Sequence, residues 1–139
     1  MIYFVQEPVD EFIKIGFTSK PSIKRRLSQL QISSPREIKL LFTMIGCRKQ
    51  ETSLHKRFRY ARYRGEWFYP IPEILFYIDH FEYLKPFHEE SLLGQFLRKH
   101  DIPFEQAKTL PQLWELSKYV LPCVPHSFMG GITTDDICS

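Results

Sequence analysis

The feature that most constrains the fold is a pair of short apolar runs at the start of the chain, separated by a turn. Residues 2–6 (IYFVQ) and 12–17 (FIKIGF) are rich in β-branched and aromatic residues, and the segment EPVDE between them holds a proline and three acids. Runs of this length and composition, bounded by turn residues, are typical of β-strands. The sequence therefore predicts that the chain begins with a β-hairpin.

A helix and a third strand are predicted to follow the hairpin. Ile23, Leu27 and Leu30 are spaced close to the 3.6-residue period of an α-helix, which favours a helix over residues 22–30. The nearly continuous apolar run IKLLFTMI at residues 38–45 has the length of a strand. Such a run indicates a strand that is buried on both faces.

The second predicted helix, over residues 49–60, has an apolar and a polar face. Leu54 and Phe58 are four residues apart and are expected to point inward. Glu51 and His55 have the same spacing, which places them one helical turn apart on a neighbouring face. The helix therefore brings a carboxylate and an imidazole together.

The rest of the chain is predicted to be a loop followed by helices. Residues 61–72 (ARYRGEWFYPIP) are interpreted as the loop, and three apolar-rich stretches at 73–84, 90–100 and 109–120 as helices. Pro86 marks a candidate boundary between two domains. The last twenty residues contain prolines and glycines and are expected to be irregular.

Basic residues are concentrated in the first of these domains. Residues 1–85 carry 15 Lys and Arg against 9 Asp and Glu, whereas residues 86–139 carry 4 against 7. Residues 14–64 alone hold 14 basic side chains and two acidic ones. A basic surface of this kind favours a polyanion such as DNA as its partner. A solvated basic surface with no partner is the alternative interpretation.

Composition also bears on the compartment. No run approaches the roughly 18–20 apolar residues that cross a bilayer, and the N-terminus lacks the pattern of a signal peptide, so we expect a cytoplasmic protein with no membrane contact. The three cysteines, Cys47, Cys123 and Cys138, are odd in number and far apart, without the spacing of metal ligands. They are interpreted as free thiols.

Five motifs in order resemble the GIY-YIG endonucleases. They are IYFVQ, IKIGFT, RRLSQL, QETSLHKRF and GEWF, which together extend over roughly residues 1–78. More narrowly, the chain resembles the subgroup, frequent in phage and bacterial reading frames, that has KIG in place of YIG and ends in EWF. The resemblance implies an α/β (α+β) fold with a small three-stranded antiparallel sheet flanked by helices, and a helical extension after it. It also implies a DNA endonuclease of phage or mobile-element biology, with its site on the sheet.

The resemblance implies particular site residues. Tyr3 falls at the tyrosine of the GIY strand, and Lys14 takes the place of the first tyrosine of YIG. Arg26 matches the arginine of the first helix, although the adjacent Arg25 is an alternative. Glu51 matches the metal-binding glutamate that opens the second helix. The two strand positions are expected to be neighbours, but the sequence does not fix whether they share a face.

Hydrolysis of a phosphodiester explains why these residue types are needed. A single carboxylate, Glu51, together with water and substrate phosphate, suits Mg²⁺ or Mn²⁺. The planar guanidinium of Arg26 suits a phosphate clamp. The proton acceptor is open, because a lysine acts as a base only with a lowered pKa. If Lys14 only binds phosphate, Tyr3 or a metal-bound hydroxide takes this role. His55 either orients a water or phosphate or serves in helix packing.

Further residues are predicted around this site. Trp67 and Phe68 of the EWF tripeptide are predicted to be core in preference to base-stacking groups. Glu66, just before them, is the nearest candidate for the polar group that the family places after the second helix. Basic residues, some of them alternating with Tyr60 and Tyr63, are predicted to contact DNA: Lys24, Arg25, Arg59, Arg62 and Arg64.

Three function classes remain open at this point. The first is the endonuclease, the second a DNA-binding module that keeps the fold and the basic face without catalysis, and the third a protein-interaction adaptor that uses the C-terminal helices. One chain would hold one site, so a double-strand cut requires a homodimer or two successive nicks. The helix, link and helix of the extension, residues 86–139, are similar in layout to some small nucleic-acid-binding modules, but its acidic balance argues against a DNA-binding surface. The extension is equally consistent with a brace for the first domain and with an oligomerisation element.

Overall fold

The computed structural model describes residues 1–19, 22–82 and 91–121 of the 139-residue chain. Two compact units are present, the first built on Met1–Tyr69 and the second on Pro70–Ile132. The fold is mixed α/β. The predicted boundary at Pro86 and the predicted irregular tail lie outside the described residues. None of the described helices is long and apolar enough to cross a membrane.

The first unit contains the predicted hairpin, both predicted helices and the third strand, with ends that differ from the prediction by a few residues at most. A short 3₁₀ turn, Arg59–Ala61, follows the second helix. The elements in chain order are β1 Ile2–Gln6, β2 Ile13–Phe17, α1 Ile23–Ile32, β3 Lys39–Met44, α2 Arg48–Arg57, β4 Arg62–Arg64 and β5 Trp67–Phe68.

The register of the hairpin decides which side chains share a face. β1 and β2 are antiparallel, with Tyr3 opposite Gly16 and Val5 opposite Lys14. Directly opposed residues of two strands point to the same face, and so do alternate residues along one strand. Tyr3 and Lys14 therefore lie on one face of the sheet, a question that the sequence left open.

The sheet has five antiparallel strands in the described part of the chain, in the order β3-β1-β2-β5-β4, so the prediction of three strands was wrong. The two additional strands lie in the segment that was predicted as a loop. Gly65 has a φ of 58° in the turn between them, a left-handed conformation that glycine adopts without strain. Strands of three and two residues are shorter than the four-residue run that marks a strand in a sequence.

β3 is an edge strand rather than the buried strand that its apolar sequence predicted. Leu41 is its one buried residue, and Leu40 is exposed. Among the described strands β3 pairs with β1 alone. A strand at the edge has a neighbour on one side only, so its side chains keep more contact with solvent than those of a central strand.

The core of the first unit lies between the sheet and α2. Leu54 and Phe58 of α2 are buried as predicted. In contrast, α1 has no buried residue, and its final residue, Ile32, is 85% exposed. The strand side chains that are buried in this unit include Ile2, Phe4, Ile13, Ile15 and Phe68.

The described part of the second unit contains three predicted helices, of which the first packs against the other two: α3 Pro72–Glu82, α4 Leu92–Lys99 and α5 Leu110–Leu116. Buried Asp79 of α3 accepts hydrogen bonds from the backbone N–H groups of Leu92 and Leu93, at 2.9 and 2.8 Å. Such a cap satisfies donors that have no partner within their own helix and contributes about 1 kcal/mol to stability. α3 therefore fixes the start of α4.

Candidate active site

The site is centred on Tyr3, which is fully buried in the middle of the sheet. Its ring lies across Gly16 of the neighbouring strand, where an added Cβ would be 2.3 Å from the Cζ and Oη atoms of Tyr3. The phenol oxygen accepts a hydrogen bond of 3.0 Å from Nε of Arg26. The Tyr3 ring therefore occupies space that is free only because residue 16 is glycine, and in this position its hydroxyl contacts α1.

α1 directs Arg26, and not Arg25, to this hydroxyl. Arg26 is half-buried, whereas Arg25 is exposed. The hydrogen bond to Tyr3 and the charge that the phenol carries when ionised raise the pKa of Arg26 above its usual value, and the negative charge of Glu66 adds to the rise. Arg26 is thus a permanent cation with part of its guanidinium still available for a ligand.

Lys14 and Glu66 form an ion pair beside this tyrosine and arginine. The Nζ atom of Lys14 is 3.1 Å from Oε2 of Glu66 and 5.7 Å from the centre of the Trp67 ring. The backbone of Glu66 is held by β2, because its carbonyl accepts the N–H of Ile15 at 3.1 Å. We call Tyr3, Lys14, Arg26 and Glu66 the cationic cluster.

Glu51 and His55 of α2 approach β2 at the residue before Gly16. The Nε2 atom of His55 is 2.8 Å from the carbonyl oxygen of Ile15 and 3.6 Å from Oε1 of Glu51. Glu51 is 6% exposed, and its buried Oε2 atom has no hydrogen-bond partner among the residues that the structure describes. The predicted pairing of a carboxylate and an imidazole on α2 is therefore present, next to the strand that carries Lys14.

The start of α2 favours negative charge at this position. Glu51 is in the first turn of the helix, where the free N–H groups give a partial positive charge. Backbone N–H groups of this turn also lower the pKa of the exposed Cys47 thiol, with the larger contribution from Gln50 and the smaller from Lys49. A carboxylate at Glu51 is therefore stabilised by its own helix.

The residues present fit a single divalent cation at Glu51. A buried carboxylate oxygen with no hydrogen-bond partner costs about 1–3 kcal/mol, and a cation would offset that cost. Within the described ranges no group of three or more His, Cys, Asp and Glu side chains could hold a metal ion. One carboxylate completed by water and phosphate suits Mg²⁺, which seldom takes an all-protein cage.

A polar cavity of about 240 Å³ opens beside Arg26. Its lining includes Arg48 from the first turn of α2, whose guanidinium carbon is 5.1 Å from the centre of the Phe17 ring. Gln29, which accepts a long hydrogen bond of 3.4 Å from Arg26, lines it as well. Two arginines from different helices therefore face one cavity, an arrangement that suits an anion. The sequence reasoning did not single out Arg48.

The predicted DNA-contacting residues are all exposed, but they lie in two separate places. Some are on α1 and the others on the 3₁₀ turn and β4. Arg62 lies over Phe68, at 5.7 Å from the ring centre, whereas Tyr63 stacks on Phe12 with 4.1 Å between ring centres. The arginine and the tyrosine therefore point to different neighbours. The exposed residues are Lys24, Arg25, Arg59, Arg62 and Arg64.

Trp67 and Phe68 differ in burial, although both were predicted as core. Phe68 is fully buried, which confirms the prediction for this residue. Trp67 is only half-buried and lines an open pocket, so the prediction for it was wrong. Because neighbouring residues of a strand point to opposite faces, only one of the two could enter the core.

These features define a mixed α/β domain with a cationic cluster on its sheet and a buried carboxylate on an adjacent helix. The chain belongs to the T5orf172 domain family, whose model matches residues 1–85. This phage-associated domain is in the GIY-YIG-like, nuclease-related group, which is the level at which the predicted resemblance is confirmed. No curated protein and no solved structure matches the chain.

Proposed function

We propose that this protein is a metal-dependent DNA endonuclease of the GIY-YIG type, which hydrolyses phosphodiester bonds. The observation that carries the proposal is the hydrogen bond between Arg26 and buried Tyr3. It joins the first strand to the first helix at the positions where the resemblance expects catalytic residues. Membership in a nuclease-related family supports the same conclusion.

Arg26 is proposed to bind the scissile phosphate. Its Nε–H group is bonded to Tyr3, which fixes the plane of the guanidinium, while the cavity beside it leaves room for a phosphate. Charge on the non-bridging oxygens grows in the transition state, so a fixed cation lowers the barrier. The predicted alternative, Arg25, has no such anchor in the described contacts.

Lys14 is proposed to bind phosphate, which leaves Tyr3 to hold the attacking water. The ion pair with Glu66 holds the Nζ atom of Lys14 in place, where three N–H donors can bind phosphate oxygens. The phenol oxygen of Tyr3 is on the same face of the sheet, polarised by the N–H of Arg26. It can therefore position a water molecule beside a bound phosphate.

Glu51 is proposed to hold the cation, Mg²⁺ or Mn²⁺, and the Nε2 atom of His55 lies 3.6 Å from its Oε1 atom, one helical turn away. When bound, such a cation would neutralise charge on the phosphate and on the departing oxygen. The hydrogen bond from His55 to the carbonyl of Ile15 fixes α2 against β2. His55 is thus a positioning residue in this proposal.

The proposal is tested by the conversion of supercoiled plasmid to nicked circles. With Mg²⁺ or Mn²⁺ the wild-type chain is expected to nick, and with EDTA it is not. Arg26→Lys keeps the charge but loses the planar set of donors, so we expect nicking to fall by about 10²- to 10³-fold, the cost of removing one oriented donor. Arg25→Lys, one residue away and exposed, is the matched control and is expected to retain activity.

Two outcomes would contradict the proposal. Equal losses in Arg25→Lys and Arg26→Lys would mean that the Tyr3–Arg26 contact has no special role. Plasmid binding by the wild type without nicking under any metal condition would favour the DNA-binding module instead.

Lys14→Arg separates phosphate binding from proton transfer. Arginine preserves the positive charge next to Glu66, so we expect nicking within about tenfold of wild type. We also expect the pH profile of the nicking rate to stay unshifted, because phosphate binding by Lys14 involves no essential base at this position. The measurement is the initial nicking rate at several pH values. A pH profile displaced by the substitution would assign the base role to Lys14 and contradict a role in phosphate binding alone.

A further inference from the structure

A second, larger pocket lies on the face of the sheet that carries the cationic cluster. Its volume is about 390 Å³, toward the lower end of the roughly 300–1,000 Å³ range of small-molecule sites. Lys14 lines it together with three aromatic side chains, Phe12, Tyr63 and Trp67. We call these four residues and the space between them the aromatic pocket.

The aromatic side chains of this pocket are held in place yet remain accessible. Phe12 and Tyr63 stack with 4.1 Å between ring centres, and Tyr69 meets both rings edge-on at 5.2 and 5.5 Å. Tyr63 is nevertheless 50% exposed, and Trp67 is half-buried. Large aromatic faces that are rigid but not covered are suited to stacking with another flat ring.

The aromatic pocket has a basic end and an acidic end. One face of β2 carries Gly16 and Lys14, and Phe12, just before the strand, continues the same row. Successive members of this row are two residues apart, which is about 7 Å. Glu7 and Asp10, from the hairpin turn, also line the pocket. Acidic groups disfavour a phosphate at that end, whereas Lys14 favours one at the other.

We infer that the aromatic pocket binds one unpaired nucleobase of DNA, next to the phosphate held by the cationic cluster. The base stacks on Tyr63 and Trp67, and its phosphate is directed toward Lys14 and Arg26. This inference rests on the proposed function in placing that phosphate at the scissile position. A base inside a duplex cannot reach such a pocket without leaving its stack, and leaving costs least when the base is already unpaired. The pocket thus selects unpaired or distorted DNA.

Binding measurements in EDTA test the inference separately from catalysis. Fluorescence anisotropy would give the Kd of the full chain for a short duplex with a single unpaired cytosine and for the same duplex fully paired. We expect wild type to prefer the unpaired form by about tenfold, since stacking of one base on aromatic side chains contributes about that much to affinity. Trp67→Leu and Tyr63→Leu are expected to lower the preference to about twofold or less, because leucine has no aromatic face.

Two controls separate stacking from general damage. Trp67→Phe keeps an aromatic face and is expected to retain most of the preference. Tyr119→Leu removes a tyrosine of the second unit that is 46% exposed, similar to Tyr63, and is expected to leave the preference unchanged. In a parallel titration, 2-aminopurine at the unpaired position should lose fluorescence on binding to the wild type and not to Trp67→Leu.

The outcomes distinguish this inference from the nuclease proposal. A preference in EDTA that the two leucine variants remove supports the pocket even if plasmid nicking fails. Plasmid nicking without any preference for the unpaired base overturns the pocket and leaves the nuclease proposal intact. A preference that both leucine variants retain also overturns the pocket.

Discussion

Replacing Glu51 with glutamine is expected to lower metal-dependent nicking by about 10³-fold, because the cation that this carboxylate would hold supplies several kcal/mol of transition-state stabilisation. The same change is expected to leave the free energy of unfolding unchanged or to raise it. Among the described residues the Oε2 atom of Glu51 has no hydrogen-bond partner, and a buried acceptor left unsatisfied costs about 1–3 kcal/mol. A neutral amide is less costly to bury. Activity and stability should therefore move in opposite directions.

Thermal unfolding with and without Mg²⁺ gives a second measurement that does not depend on cleavage. A ligand that binds only the folded state raises the Tm by mass action. Millimolar Mg²⁺ is thus expected to raise the Tm of wild type and not that of Glu51→Gln.

Glu37→Gln is the matched control for Glu51→Gln. It removes the same charge from an exposed position in the segment between α1 and β3. We expect neither nicking nor the response to Mg²⁺ to change. If Glu37→Gln and Glu51→Gln lost activity to the same extent, a general effect of net charge on DNA binding would account for both, and Glu51 would not be the metal ligand.

Much of the first unit could be predicted from the spacing of apolar residues. The helices α1 and α2 and the strands β1 to β3 are long enough for the periods of 3.6 and 2 residues to be recognised. The pair β4 and β5 was missed because each strand is shorter than one full pattern. β5 is stabilised by pairing with β2, where Ile13 lies opposite Phe68, and β4 by pairing with β5, and a sequence window does not contain such tertiary contacts.

The burial of individual residues was harder to predict than the elements themselves. β3 has a continuously apolar sequence, yet its place at the edge of the sheet leaves Leu40 exposed. Trp67 was expected in the core because the EWF tripeptide ends the module where a lid on the sheet is expected, yet the alternation of β5 turns it away from buried Phe68. In both cases the order and register of the strands decide the outcome, and neither is encoded locally.

The residues of the candidate site were predicted from motif order rather than from any single residue. The resemblance named Tyr3 and Arg26, but it could not choose between Arg26 and Arg25, nor say which face Lys14 occupies. The hydrogen bond of 3.0 Å to Tyr3 and the hairpin register supply that information. Glu66 had been noted only as a nearby polar residue, and the turn at Gly65 brings it to Lys14. Nothing in the sequence indicated Arg48, because its relation to Arg26 depends on two separate helices.

Gly16→Ala is expected to damage folding and activity together. A Cβ at this position would lie 2.3 Å from the ring of Tyr3, which is fully buried and bonded to Arg26, so the ring cannot move aside without losing that contact. Overpacking of a buried site costs about 1–3 kcal/mol, and we expect the upper end of this range because a strand backbone lies opposite a rigid ring. Chemical denaturation would measure the loss, and plasmid nicking should fall with it.

The stability effect of Gly16→Ala should depend on the side chain at position 3. In a double-mutant cycle, Tyr3→Leu removes the ring that meets the new methyl group. Gly16→Ala should therefore lower the free energy of unfolding by at least 1 kcal/mol less in the Tyr3→Leu background than in wild type, which is within the range of couplings for residues in contact. Gly65→Ala serves as the comparison. Its φ of 58° makes it costly by about 1 kcal/mol, but its Cβ would meet no atom within 4 Å, so its cost should not depend on Tyr3. Additive effects of Gly16→Ala and Tyr3→Leu would mean that glycine is required at position 16 for a backbone reason, and the steric account of the site would be wrong.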